Sequence, residues 1–117
     1  MWEEYGAHVL SFLEAKGPRL KAAVDAANGM GTVYRPLLEA MNLELVELFC
    51  ELDGSFPNHE PNPLKPENLV DVQRATREAS CAVGFAFDGD ADRVGVVDEE
   101  GTVVGADMVT ALLAPRF

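Results

Sequence analysis

The segment Phe87-Asp88-Gly89-Asp90-Ala91-Asp92-Arg93 places three carboxylates at alternate positions directly after an apolar run. Left alone, such groups repel one another. Two unit charges about 5 Å apart cost about 3 kcal/mol at an effective dielectric of about 20. A divalent cation offsets that cost. Oxygen ligands at this density suit a hard ion, magnesium or calcium, rather than zinc, which prefers nitrogen and sulfur. Gly89 and Ala91 are small enough for the backbone to fold tightly and let the alternate side chains converge. Asp88, Asp90 and Asp92 are therefore the candidate metal ligands, set against the plainer reading of a solvated acidic turn. Arg93 is the candidate catalytic residue. Its guanidinium either clamps a phosphate oxygen bidentately or neutralises the carboxylates as an internal salt bridge.

Two other acidic-loop chemistries fit less well. Asp88, Asp90, Asp92 and Glu99 fall at positions 1, 3, 5 and 12 of an EF-hand loop, but Arg93 stands where that loop needs glycine. The flanks also have the pattern of strands rather than helices. An aspartyl phosphatase would need a further lysine and acidic loop, and neither is found.

The elements that must position this loop follow from periodicity and turn residues. Residues 3–16 are expected to form a helix with Val9, Leu10, Phe12 and Leu13 apolar, stopped by Gly17-Pro18. Strands are expected at 20–27, 43–50, 81–87 and 94–97, with 102–104 pairing back after a turn at 98–101. Helices are expected at about 33–41, from Pro66 to about Ala79, and from 105 to Pro115. A long loop, 51–65, carries Gly54, Pro57, Pro61 and Pro63, and long loops that persist in a small domain are often functional.

Alternating strands and helices predict an α/β fold: a small mixed sheet of about four strands sandwiched between helices. The expected order is 2-1-3-4, with strand 4 antiparallel. In that order the two crossover helices lie on opposite faces, and the loops at 28–31 and 88–93 meet where the chain reverses direction. Open sheets of this kind bind ligands there.

Composition narrows the class. The 117 residues amount to one domain, 48% hydrophobic, with twenty acidic against nine basic residues and a formal charge of -11. Nucleic acid and anionic membrane surfaces need clustered positive charge, so neither is an expected partner. A metal cation is. Cys50 and Cys81 lack metal-ligand spacing and are expected as buried free thiols in strands. No signal-peptide pattern or membrane-length apolar run occurs, so a soluble cytoplasmic protein is expected. Gly29-x-Gly31 partly matches a dinucleotide fingerprint, but Tyr34 stands at the third glycine position. A tight turn and close helix packing explain those glycines more simply.

Three segments together carry a family resemblance. Asp88-Gly89-Asp90-Ala91-Asp92-Arg93 resembles the metal-binding loop of the α-D-phosphohexomutases, the phosphoglucomutase/phosphomannomutase family. Val24-Asp25-Ala26-Ala27-Asn28-Gly29-Met30-Gly31 is similar to the opening strand and loop of that family's second domain. Phe56-Pro57-Asn58-His59-Glu60-Pro61-Asn62-Pro63, with Lys65-Pro66-Glu67-Asn68-Leu69, is similar to its Pro-rich connector. The resemblance implies a domain of a four-domain enzyme in which Asp88, Asp90 and Asp92 hold Mg2+. Its expected partners are the other domains, which supply a phosphoserine and the sugar- and phosphate-binding loops, and a hexose phosphate. Residues 1–17 would be a leading linker helix, and 105–117 a trailing helix toward a further domain. The implied reaction moves phosphate between C1 and C6 of a hexose through a bisphosphorylated sugar, and the chain by itself is expected to be inactive. Glu60 departs from the second histidine common in relatives, and His59 is expected to order the loop or meet another domain rather than catalyse. The alternative function is a stand-alone module that binds a divalent cation or phosphate without catalysis.

Overall fold

The apolar runs resolve into one mixed sheet whose central strand is covered on both faces. The computed structural model describes residues 1–13 and 17–116. β1 (Leu20–Asp25) lies between two parallel partners, β2 (Leu43–Leu48) and β3 (Val83–Phe87). β4 (Val94–Asp98) runs antiparallel to β3, and the two-residue β5 (Val103–Val104) runs antiparallel to β4. The order β2-β1-β3-β4-β5 agrees with the expected 2-1-3-4 and its antiparallel fourth strand. The segment expected to pair back supplies a fifth strand.

The helices follow from the crossovers. A 3-10 turn, Met30–Tyr34, leads into α2 (Arg35–Ala40), and a second, Pro66–Asn68, leads into α3 (Val70–Glu78). Right-handed crossovers in this strand order put α2 and α3 on opposite faces. Leu69 and Val72 form the core with Ala23, Cys81, Ala86 and Val97. On the α2 side Leu37 is buried, and α1 (Trp2–Ser11) approaches it through Gly6, where a Cβ would meet Leu37 Cδ2 at 3.0 Å. α4 (Ala106–Leu113) follows β5 and buries none of its residues.

Backbone geometry moves several expected boundaries. Phe49 has φ 52°, left-handed backbone that takes the chain out of the extended conformation after Leu48. β2 therefore stops at Leu48. β3 starts at Val83, so Cys50 and Cys81 lie just outside the strands. Cys81 is buried and Cys50 half-buried, both as free thiols. The expected apolar face of the first helix is not a core face of this domain: Phe12 is 67% exposed. The expected end of that helix at Lys16 lies outside the described residues. No helix among the described residues is long and apolar enough to cross a membrane.

Small residues beneath α3 set how closely it sits. A Cβ on Gly84 would collide with Thr76 Oγ1 and come within 3.1 Å of Val72 Cγ2. Thr76 Oγ1 donates to the Val72 carbonyl at 2.7 Å, so it has little room to turn away. Gly84→Ala is therefore expected to destabilise the chain by about 1–3 kcal/mol. Gly54→Ala, with no heavy atom within 4 Å of the added carbon, should stay within about 0.5 kcal/mol. Urea denaturation of both variants checks the pair.

Candidate metal centre

The acidic loop begins where β3 leaves the sheet. The Asp88 N–H donates to the Arg93 carbonyl at 3.2 Å, and the Ala91 N–H donates to the Asp88 carbonyl at 3.2 Å. These two bonds close a tight turn, and Ala91 takes φ 59° at its tip. The turn gathers one carboxylate oxygen each from Asp88, Asp90 and Asp92 within 4.8 Å of one another. A single hard cation with ligands at about 2.0–2.6 Å bridges such a span.

The three carboxylates are not equivalent. Asp88 is 1% exposed, while Asp90 and Asp92 are open to solvent. Arg93 holds Asp88 twice: its backbone N–H donates to Oδ1 at 3.1 Å and its Nε–H to Oδ2 at 2.7 Å. Burial pushes the Asp88 carboxyl up, but the Arg93 hydrogen bonds outweigh it and leave it below the ordinary range. Asp92 is shifted the other way, held up by the closeness of the Asp88 carboxylate and by the charge of Asp90. Its oxygen lies 3.6 Å from Arg93 Nε. One guanidinium thus faces three carboxylates, and the surplus negative charge raises the proton affinity of the outermost. An all-oxygen donor set with surplus charge fits a hard divalent ion.

Two further loops hold this one in place. The Met30 N–H donates to the Gly89 carbonyl at 3.0 Å. Gly29 sits so close that a Cβ would meet Gly89 O at 2.7 Å, so glycine here permits two backbones to touch. Gly31 has a similar role against Phe87, whose ring atoms a Cβ would meet at 3.0 Å. On the other side, Pro61 and Phe56 of the Pro-rich connector lie 3.5 Å and 3.6 Å from where a Gly89 Cβ would stand.

Asn28 joins the connector to the sheet edge. It adopts φ 58°, a conformation asparagine tolerates better than most residues. Its N–H donates to the Phe49 carbonyl, its carbonyl accepts the Asp53 N–H, and its Nδ2 donates to the Glu51 carbonyl. Its Oδ1 accepts from Asn58 Nδ2 at 2.8 Å.

All four residues singled out by sequence therefore share one turn, with Asp88 at its base and Arg93 closing it. Glu99 lies outside the cluster, in the turn between β4 and β5. Sequence reasoning missed Asp25. This carboxylate ends β1 with no exposed surface, and His59 Nε2 lies 2.7 Å from its Oδ2. The available signal was a lone acid at the end of an apolar strand, facing a connector that contains a histidine. His59 Nδ1 lies 2.8 Å from the Glu60 carbonyl oxygen, a contact within its own loop.

The chain is similar to known proteins over most of its length. The family model described as "Phosphoglucomutase/phosphomannomutase, alpha/beta/alpha domain II" matches residues 3–101. A phosphoglucomutase of Neisseria meningitidis is 43% identical over 112 residues, covering 95% of this chain and 24% of that protein. A phosphomannomutase/phosphoglucomutase of Pseudomonas putida is 50% identical over 97 residues, covering 82% of this chain and 21% of that protein. A crystal structure of a phosphoglucomutase/phosphomannomutase family protein from Burkholderia thailandensis superposes with a TM-score of 0.86 at 39% identity, covering 97% of this chain and 26% of that one. The chain thus spans about a quarter of the length of these relatives. Fold and sequence agree that it belongs to the phosphoglucomutase/phosphomannomutase family, as that family's alpha/beta/alpha domain II.

Proposed function

We propose that this chain is the magnesium-binding domain of a phosphohexomutase that moves phosphate between C1 and C6 of a hexose through a bisphosphorylated sugar. The observation that carries the reading is the convergence of Asp88, Asp90 and Asp92 at the carboxyl edge of the parallel strands, in a chain of this family. Relatives named for glucose, mannose and glucosamine phosphates support hexose phosphates as the substrate class.

The chain's own residues divide the work. Asp88, anchored by Arg93, fixes the base of the site, and Asp90 and Asp92 complete the donor set from the solvent side. When bound, the ion supplies Lewis acidity toward a phosphoryl oxygen. Arg93 has its Nε committed to Asp88 and its side chain 49% exposed. Its terminal amino groups would orient a phosphate and balance its charge. The proposed partners are the remaining domains of the parent enzyme, which supply a phosphoserine and the sugar- and phosphate-binding loops. The exposed Trp2 of α1 and Met108, Leu112 and Leu113 of α4 suit such neighbours. A cytoplasmic setting accords with the free thiols.

Magnesium titration by calorimetry tests the ligand set. Saturable binding is expected in the parent, weakened at least about tenfold in Asp90→Ala. Asp90 is exposed, so its truncation leaves the core intact. Equal binding by both proteins would refute the site. A coupled phosphohexomutase assay tests the division of labour. No turnover is expected from the chain alone. Activity is expected in the parent enzyme, reduced at least about 100-fold by Asp90→Ala there.

A further inference from the structure

The buried Asp25 has two partners among the described residues. Its Oδ1 accepts the Ala27 N–H at 2.8 Å, and its Oδ2 lies 2.7 Å from His59 Nε2. The other ring nitrogen, His59 Nδ1, lies 2.8 Å from the Glu60 carbonyl oxygen. A carbonyl only accepts, so Nδ1 carries a hydrogen. One further proton then sits between Nε2 and Oδ2. Two arrangements satisfy the geometry: carboxylate with imidazolium, or carboxylic acid with neutral imidazole. Either way the pair is net neutral. Removing that proton leaves one hydrogen for the two ring nitrogens, so a lone pair faces an acceptor either at the Asp25 carboxylate or at the Glu60 carbonyl, and one of the two anchors of His59 is lost.

The pair sits where three loops meet. His59 belongs to the connector whose Asn58 donates to Asn28 and whose Phe56 and Pro61 wall Gly89. Asn28 leads into Gly29 and Met30, which pack on and bond to Gly89 of the acidic loop. Asp25 is the point at which the connector is fastened to the sheet.

We infer that Asp25 and His59 form a one-proton clasp that positions the acidic loop: with the shared proton the connector is held against Asn28 and Gly89, and without it the connector lifts and the loop loosens. Both are positioning residues. The effect on metal binding rests on the reading above, whereas the effect on the loops does not.

The surrounding charges favour the protonated pair. Burial is the largest influence on Asp25 and raises its carboxyl, against the Ala27 and His59 hydrogen bonds. Burial lowers His59, but the Glu60 carbonyl and Asp25 outweigh it and leave it above 6.5. Asp71 of α3 adds negative charge that raises both. The Cys50 thiol nearby is itself raised by burial, so it stays neutral beside the pair. The Glu60 carboxylate is engaged by Lys65 at 2.6 Å. Because both folded values lie above the unfolded ones, the clasp is complete below the ordinary histidine value. It is lost as pH rises through the raised value of the pair.

Asp25→Asn separates the clasp from mere packing. Its carboxamide keeps the Ala27 bond through oxygen and donates from nitrogen to a neutral His59, with no proton to lose. His59→Gln is a second variant that bonds Asp25 without titrating. Amide exchange by NMR is measured between about pH 6 and 9, as the protection factor of the Met30 amide relative to Phe85 in the sheet. In the parent, Met30 protection is expected to fall at least about tenfold relative to Phe85 as pH rises. In Asp25→Asn and His59→Gln it should stay level, and in His59→Ala it should be low throughout. The same pH course in parent and Asp25→Asn, or parent-like protection in His59→Ala, would overturn the clasp. Magnesium affinity measured on the same samples should follow Met30 protection. If the protection behaves as expected but magnesium binds at no pH, the clasp stands and the metal reading fails.

Discussion

Three carboxylates gathered at one strand end repel one another, and the structure around them is arranged to hold them together nonetheless. The turn that gathers them is closed by backbone bonds across Asp88, Ala91 and Arg93. Asp88, the buried member, stays ionised because Arg93 grips both of its oxygens. That grip neutralises one charge and leaves the outer two uncompensated, which is the electrostatic condition for taking up a hard cation. A cluster built for solubility alone would gain nothing from burying one of its members.

The same requirement explains the contacts beneath the loop. A turn carrying this charge needs support that side chains alone would supply loosely, and here backbone touches backbone. The Gly29 and Gly89 chains approach so closely that neither loop can shift without the other. The parallel order β2-β1-β3 brings both loops to one edge, and the Pro-rich connector closes over them from the β2 side. Sheet topology, glycine placement and charge placement thus serve one site.

Most of this was legible in the sequence because it rests on local signals. The alternation of apolar runs with turn residues carried the strand order, and the Asp-x-Asp-x-Asp spacing carried the cluster. What was not legible depends on contacts between distant segments. The pairing of Asp25 with His59 joins residues 34 apart, and no spacing rule links them. The strand end at Leu48 is set by a left-handed residue, Phe49, whose type does not advertise that conformation. The first helix has an apolar pattern that this domain leaves largely exposed, because periodicity marks a face for burial without saying against what.

The proposed site requires one ion to be held by one turn. Manganese, a hard ion with the same taste for oxygen ligands, broadens NMR signals of nearby nuclei and so reports where it sits. At low manganese-to-protein ratio, the amides of residues 88–93 should broaden first, followed by Met30 across the loop contact, with the rest of the sheet unaffected. Broadening spread evenly over other exposed acidic residues, such as Glu3, Glu4, Glu99 and Glu100, would mean that the loop is an acidic turn like any other and holds no ion of its own.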